Sequence, residues 1–129
     1  MAKIKHIAIA TQNVDETAKF YIETFGQKEV GKFNHPIASG YYLTDGNVNL
    51  AILNFKNDQV AGVERGKSWC GIHHIGFEVE SFDESAQKLA AAGYQRRDDI
   101  NRQLRGAEVR YNGPDGVTFD VSQTGWALE

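Results

Sequence analysis

The sequence predicts an α+β fold, two tandem βαβββ modules whose strands form a concave, partly open, barrel-like sheet. The first observation behind this is a short motif that occurs twice. Residues 71–79 read Gly-Ile-His-His-Ile-Gly-Phe-Glu-Val, and residues 4–10 read Ile-Lys-His-Ile-Ala-Ile-Ala. Setting His74 on His6, an offset of 68 residues, pairs Ile75 with Ile7, Asp83 with Asp15, Glu84 with Glu16 and Ala86 with Ala18 without a gap. The second observation is that both copies pass from a β-branched strand pattern into a helical one. The third is that strand-like runs punctuated by glycine turns follow each helix.

In order along the chain, residues 4–10 form the first strand and end in the polar Thr11, Gln12 and Asn13. A helix follows, capped by Asn13 or Asp15, with Val14, Ala18, Tyr21, Ile22 and Phe25 at helical spacing until Gly26 stops it. Residues 28–33, 40–44 and 48–55 read as three strands, the last two joined by an Asp45-Gly46-Asn47 turn. His35, before Pro36, falls in a loop and reads as solvated. The first module therefore spans residues 1–55, and the polar stretch 56–70 is a linker with room for a helical turn. In the second module, residues 71–129, the strand from His73 to Val79 leads into a helix over 82–92, capped by Ser81 with Glu84 completing a capping box. Residues 94–98, 107–112 and 117–122 read as its remaining strands, with a tight turn over 113–116, and the whole chain of 1–129 reads as one domain.

With 129 residues, 41% of them hydrophobic and 24% charged, the chain can bury a real core. No run approaches the roughly 18 apolar residues of a membrane span, and the N-terminus lacks a secretory apolar stretch, so the expected compartment is the cytoplasm. The single cysteine, Cys70, excludes an internal disulfide and reads as a small buried or half-buried filler. A net charge of −3 argues against nucleic acid. The basic cluster of Arg96, Arg97, Arg102 and Arg105 is broken by Asp98 and Asp99 and reads as a solvated face.

Strand alternation points to the site. His6, Ala8 and Ala10 share one face, as do His74, Gly76 and Glu78, while the bulkier Ile7, Ile9, Ile75 and Phe77 take the other. Parity puts His73 opposite His74, with Lys5 as its counterpart, so it has no metal role in this reading. Asp120 stands in the final strand between Phe119 and Val121, where a buried carboxylate needs a partner. His6, His74 and Asp120 offer two imidazoles and one carboxylate and leave coordination positions open, a set suited to Fe, Mn, Zn, Ni or Co.

Taken together, the Lys5-to-Ile9 strand, the helix from Asp15 to Tyr21 running into Phe25-Gly26, the His73-to-Val79 strand and Gly113-Pro114-Asp115-Gly116-Val117-Thr118-Phe119-Asp120 resemble the vicinal oxygen chelate superfamily. This is the glyoxalase, bleomycin-resistance and extradiol-dioxygenase group. Within it the paired His-His-Ile strand is similar to that of methylmalonyl-CoA epimerases, and the ligand layout to that of glyoxalase I. The resemblance implies metal ligands at His6, His74 and the terminal-strand acid, usually Glu and here Asp120. It also implies a fourth ligand from the strand holding Leu50 and Ala51, and neither residue can bind a metal. Three protein ligands are what extradiol dioxygenases use.

The function expected is that of a metal-dependent lyase or isomerase acting on a small oxygenated substrate that chelates a divalent ion. The alternatives are a ring-cleaving dioxygenase and a metal-free binder of small molecules or antibiotics. Glu78 is the candidate for moving a proton. Tyr41 and Phe77 are candidate substrate contacts, with Tyr42, Trp69 and Trp126 as further aromatics for a planar ligand. The open sheets predict a homodimer.

Overall fold

The computed structural model describes residues 1–101 and 108–129. The first module consists of β1 (Lys3–Ala10), α1 (Val14–Phe25), β2 (Lys28–Asn34), β3 (Ala38–Thr44) and β4 (Asn49–Phe55). A short helix, α2 (Asp58–Ala61), lies in the linker. The second module has β5 (Gly71–Glu78), α3 (Phe82–Ala91), α4 (Asp98–Asn101), β6 (Val109–Asn112) and β7 (Thr118–Ser122). All seven strands join one mixed sheet in the order β2-β3-β4-β1-β5-β7-β6. The modules meet where β1 pairs antiparallel with β5, and each of these central strands pairs in parallel with its module's last strand, β4 or β7. The duplicated fold read from the sequence is therefore present, and the sheet stays open.

Local chemistry sets the helix ends. The Asn13 side chain accepts from the Glu16 N–H at 3.1 Å, and Gly26, at φ 67°, ends α1 in the left-handed conformation that glycine adopts without strain. Ser81 caps α3 in the same way, accepting from the Glu84 N–H at 3.2 Å.

Strand alternation divides the core. The outer face packs Leu43 and Ile52 under Ala18 of α1, and Val109, Tyr111 and Val121 beneath Phe82 and Leu89 of α3. On the inner face the first module is apolar, with Ala8, Ala51, Leu53 and Phe55 against Val60 and Ala61 of α2. The second module is polar there: His74, Arg110, Thr118, Asp120 and Ser122 are all buried.

The structure corrects several details. Residues 94–98 do not form a strand: only Arg96 bridges to Tyr111, and the chain turns into α4 at Asp98. There Arg97 donates to Glu64, Asp99 and Asn112, drawing the segment towards the linker. His73 does not face away from His74. A bulge between Ala8 and Ile9 puts one extra residue in β5 and brings the two Nδ1 atoms within 2.9 Å. His35 is half-buried and stacked on Phe33, and Cys70 is exposed instead of filling space. Arg102, Arg105 and Ala107 lie outside the described residues.

Candidate functional site

The trio expected from the repeat comes together. His6 Nε2 and His74 Nε2 are 3.2 Å apart, His74 Nε2 is 3.2 Å from Asp120 Oδ2, and one donor atom from each residue lies within 4.8 Å of the others. All three are at most 3% exposed. The strand register does this: His6 pairs with Gly76, Ala8 with His74, and Gly76 with Asp120, so the side chains project from neighbouring positions of three adjacent strands onto the inner face.

The partners of the two imidazoles fix which nitrogens carry protons. Asn49 Nδ2 donates to the Ala127 carbonyl at 2.8 Å, so its Oδ1 faces His6 and accepts from Nδ1–H, also at 2.8 Å. His6 Nε2 is then bare. On the other side the Ala61 carbonyl can only accept, so His73 donates to it from Nε2 at 2.6 Å and accepts at Nδ1 from His74 Nδ1–H. His74 Nε2 is bare as well. Burial keeps the rings neutral: it lowers His6 and His73 to about 4 and His74 well below the ordinary histidine value. Two nitrogen lone pairs and a carboxylate oxygen thus converge on one point, an arrangement that is repulsive unless a cation supports it.

One cation is built in. Arg110, opposite Asp120 across the β6–β7 ladder, donates from Nε to Oδ1 at 2.7 Å and from Nη2 to Oδ2 at 3.0 Å. Its Nη2 is also 3.3 Å from His74 Nε2. Burial alone would raise the Asp120 carboxyl, but the Arg110 guanidinium outweighs it and holds the group well below the usual carboxylate range.

Beside the trio opens a cleft with about 480 Å³ of empty space, its mouth included, lined by His6, His74, Arg110 and Glu108 on the polar side. The apolar side includes Phe33, Tyr42, Leu53 and Phe55. Burial, followed by the neighbouring Asp120 carboxylate, pushes Glu108 up to about 7.

The other expected contacts lie elsewhere. Glu78 lines a separate pocket with Met1, Lys3 and Gln123, against Gly125 of the C-terminal tail. Tyr41 faces outwards, bonded to Asp15 and beside Lys32, and Phe77 packs edge-on against Phe119 on the outer face. Tyr42, one residue along, is the tyrosine that reaches the cleft. Trp69 packs beside Arg65 and His73, and Trp126 stacks on His6. The position matching Asp120 in the first module is Ala51, fully buried and without a donor.

Sequence reasoning missed Arg110, Glu108 and Asn49. The signal for the first two was the alternation Glu108-Val109-Arg110-Tyr111-Asn112, which sets two charged residues on the face that Asp120 occupies across the following turn.

Residues 3–121 match the model of the glyoxalase/bleomycin resistance protein/dioxygenase superfamily. The chain belongs to this superfamily. Among solved structures, a hypothetical protein of Bacillus halodurans C-125 is similar with a TM-score of 0.77 and 22% identity, over 99% of this chain and 98% of that one. Methylmalonyl-CoA epimerase of Streptomyces coelicolor, in complex with 2-nitronate-propionyl-CoA, gives 0.71 and 24% over 92% and 94% of the two chains. The epimerase of Mycobacterium tuberculosis gives 0.71 and 14% over 92% and 85%. At these identities the likeness is one of fold. Comparison with curated proteins finds no match.

Proposed function

We propose that the protein is a metal-dependent enzyme of lyase or isomerase type, acting on a small oxygenated compound whose adjacent oxygens chelate a divalent ion. The observation that carries this reading is the meeting of the bare Nε2 atoms of His6 and His74 with Asp120 Oδ2. The donor set fits an ion: two neutral imidazoles, and a carboxylate that retains lone pairs beyond those Arg110 uses. Bound there, a divalent ion supplies Lewis-acid stabilisation of an enolate or a similar oxyanion.

The surrounding residues serve the same end. Asn49 and His73 hold the two imidazoles with Nε2 forward, as outer partners of metal-binding histidines do. Glu108 lines the cleft and is the carboxyl placed to hold or move a proton there, a role its position supports better than that of Glu78. Phe33, Tyr42 and Phe55 supply an apolar wall that keeps water from the reacting end of a ligand. The isomerase side draws support from fold neighbours that are methylmalonyl-CoA epimerases. Ala51 favours one alternative, a ring-cleaving dioxygenase with three protein ligands, and the apolar cleft wall favours another, a metal-free binding protein.

A cytoplasmic homodimer completes the reading. Ile4 and Ile72, on the two central strands, are 55% and 64% exposed, which supports a second copy covering them. Among the described residues no helix is long and apolar enough to cross a membrane.

Metal analysis of protein purified without chelator, and after incubation with Fe, Mn, Co, Ni or Zn, tests the proposal. About one ion per chain is expected. No ion under any of these conditions sinks the enzyme reading in favour of the binder.

A further inference from the structure

The proposed function leaves a buried guanidinium unexplained. Arg110 is 2% exposed and engages both oxygens of Asp120 through Nε and Nη2, while the same Nη2 lies 3.3 Å from His74 Nε2. It therefore touches two of the three groups offered to an ion. With the histidines neutral, Asp120 and Arg110 already balance each other's charge. A divalent ion on the trio would stand against a fixed positive group in a region shielded from water, where screening is weak. It would also have to share the carboxylate, since Arg110 occupies one lone pair on each oxygen.

We propose that Arg110 is an internal competitor for the metal, a positioning residue whose side chain does in the ion-free protein what the ion does in the loaded one. It supplies positive charge to Asp120 and a donor to His74, which holds the two strands and the ligand atoms in register. The cost is affinity: the ion gains at Asp120 only what Arg110 gives up. The inference rests on the metal reading of His6, His74 and Asp120, and adds that the affinity of this set is limited by Arg110 and not by the donors.

The test compares binding of Co²⁺ to chelator-stripped parent, Arg110→Met, Arg110→Lys and the double variant Arg110→Met with Asp120→Asn, by calorimetry and by the rise in Tm on adding the ion. Met fills much of the volume without the charge, so Arg110→Met is expected to bind about ten-fold tighter or better. It should also gain more in Tm from Co²⁺ than the parent does. Arg110→Lys, which keeps the charge but loses the two-point grip, should fall between the two. The double variant should lose the gain, because Asp120 is the group released.

Equal or weaker binding by a folded Arg110→Met would overturn the proposal while leaving the metal reading intact, since the parent would still bind. If Arg110→Met does not fold, Arg110→Lys decides by the same sign. Absence of Co²⁺ binding in parent and folded variants alike would remove the metal reading, and this inference with it.

Discussion

Trp126 lies flat against His6, with ring centroids 4.6 Å apart and planes within 6° of parallel. The C-terminal tail thus roofs one of the three donors, and the adjacent Ala127 carbonyl anchors the Asn49 amide that orients the same ring. Gly76 makes the room. A Cβ there would stand 2.6 Å from Trp126 Cη2 and 2.7 Å from His6 Cβ, closer than side chains approach. Gly76→Ala should therefore push the indole off His6 and destabilise the protein by about 1–3 kcal/mol, the usual cost of overpacking. Thermal unfolding and Trp fluorescence measure this. An unchanged Tm with an unchanged spectrum would mean that the stack is not formed in solution.

The buried histidines set a pH dependence. His6 and His73, lowered to about 4 chiefly by burial, are neutral in the fold, whereas unfolded they protonate near 6.5. A folded pKa below the unfolded one contributes stability that is complete above pH 6.5 and lost as the pH falls towards 4, and His74 adds in the same direction. Glu108 has the opposite sign. Raised from 4.5 to about 7 by burial and then by Asp120, its contribution is present below 4.5 and lost as the pH rises through 7. In chelated protein, Tm should fall from pH 6.5 to 4, and Glu108→Gln should raise Tm at pH 8 but change it little at pH 4.5. A Tm of the Glu108→Gln variant that stays flat from pH 7 to 4.5, with the opposing Glu108 contribution removed, would show that the histidine rings are hydrated.

How far the site was legible depended on whether local pattern or register placed each residue. The repeat set His6 and His74 at equal places in two copies, and Asp120 fell on the corresponding terminal strand between two apolar residues, so the three were candidates from sequence, and the structure brings their donor atoms together. The helix cap Ser81 followed too, and Asn13 was one of two candidates beside Asp15, since capping is local chemistry. His73 did not: a bulge is set by how β5 meets β1, and a single extra residue reverses the side on which a neighbour points. Tyr41 and Tyr42 are adjacent aromatics, and only the pairing of β3 with β4 decides which one faces the cleft. Arg110 was hidden for a related reason. Its cross-strand distance to Asp120 depends on the centre of the turn between them, and the alternation of Glu108 and Arg110 in a short strand is also what a solvated face shows. Trp126 lies beyond the last strand, where no period constrains the chain.

The Arg110–Asp120 pair makes the strongest stability prediction. Asp120→Asn keeps the volume but takes the two-point carboxylate from a buried guanidinium, and breaking such a pair from one side costs about 3–5 kcal/mol. A surface acid would give no more than about 0.5 kcal/mol. Removing both charges should cost less than the sum of the single changes, because neither partner is then left alone. Asp120→Asn combined with Arg110→Met should accordingly be more stable than Asp120→Asn by itself, with a coupling energy of about 0.5–3 kcal/mol. Denaturant unfolding of the parent, both single variants and the double variant, all with chelator present, measures that coupling without the ion. Strict additivity would show that the two side chains do not sense each other, and the charge balance assigned to the ion-free site would then be wrong.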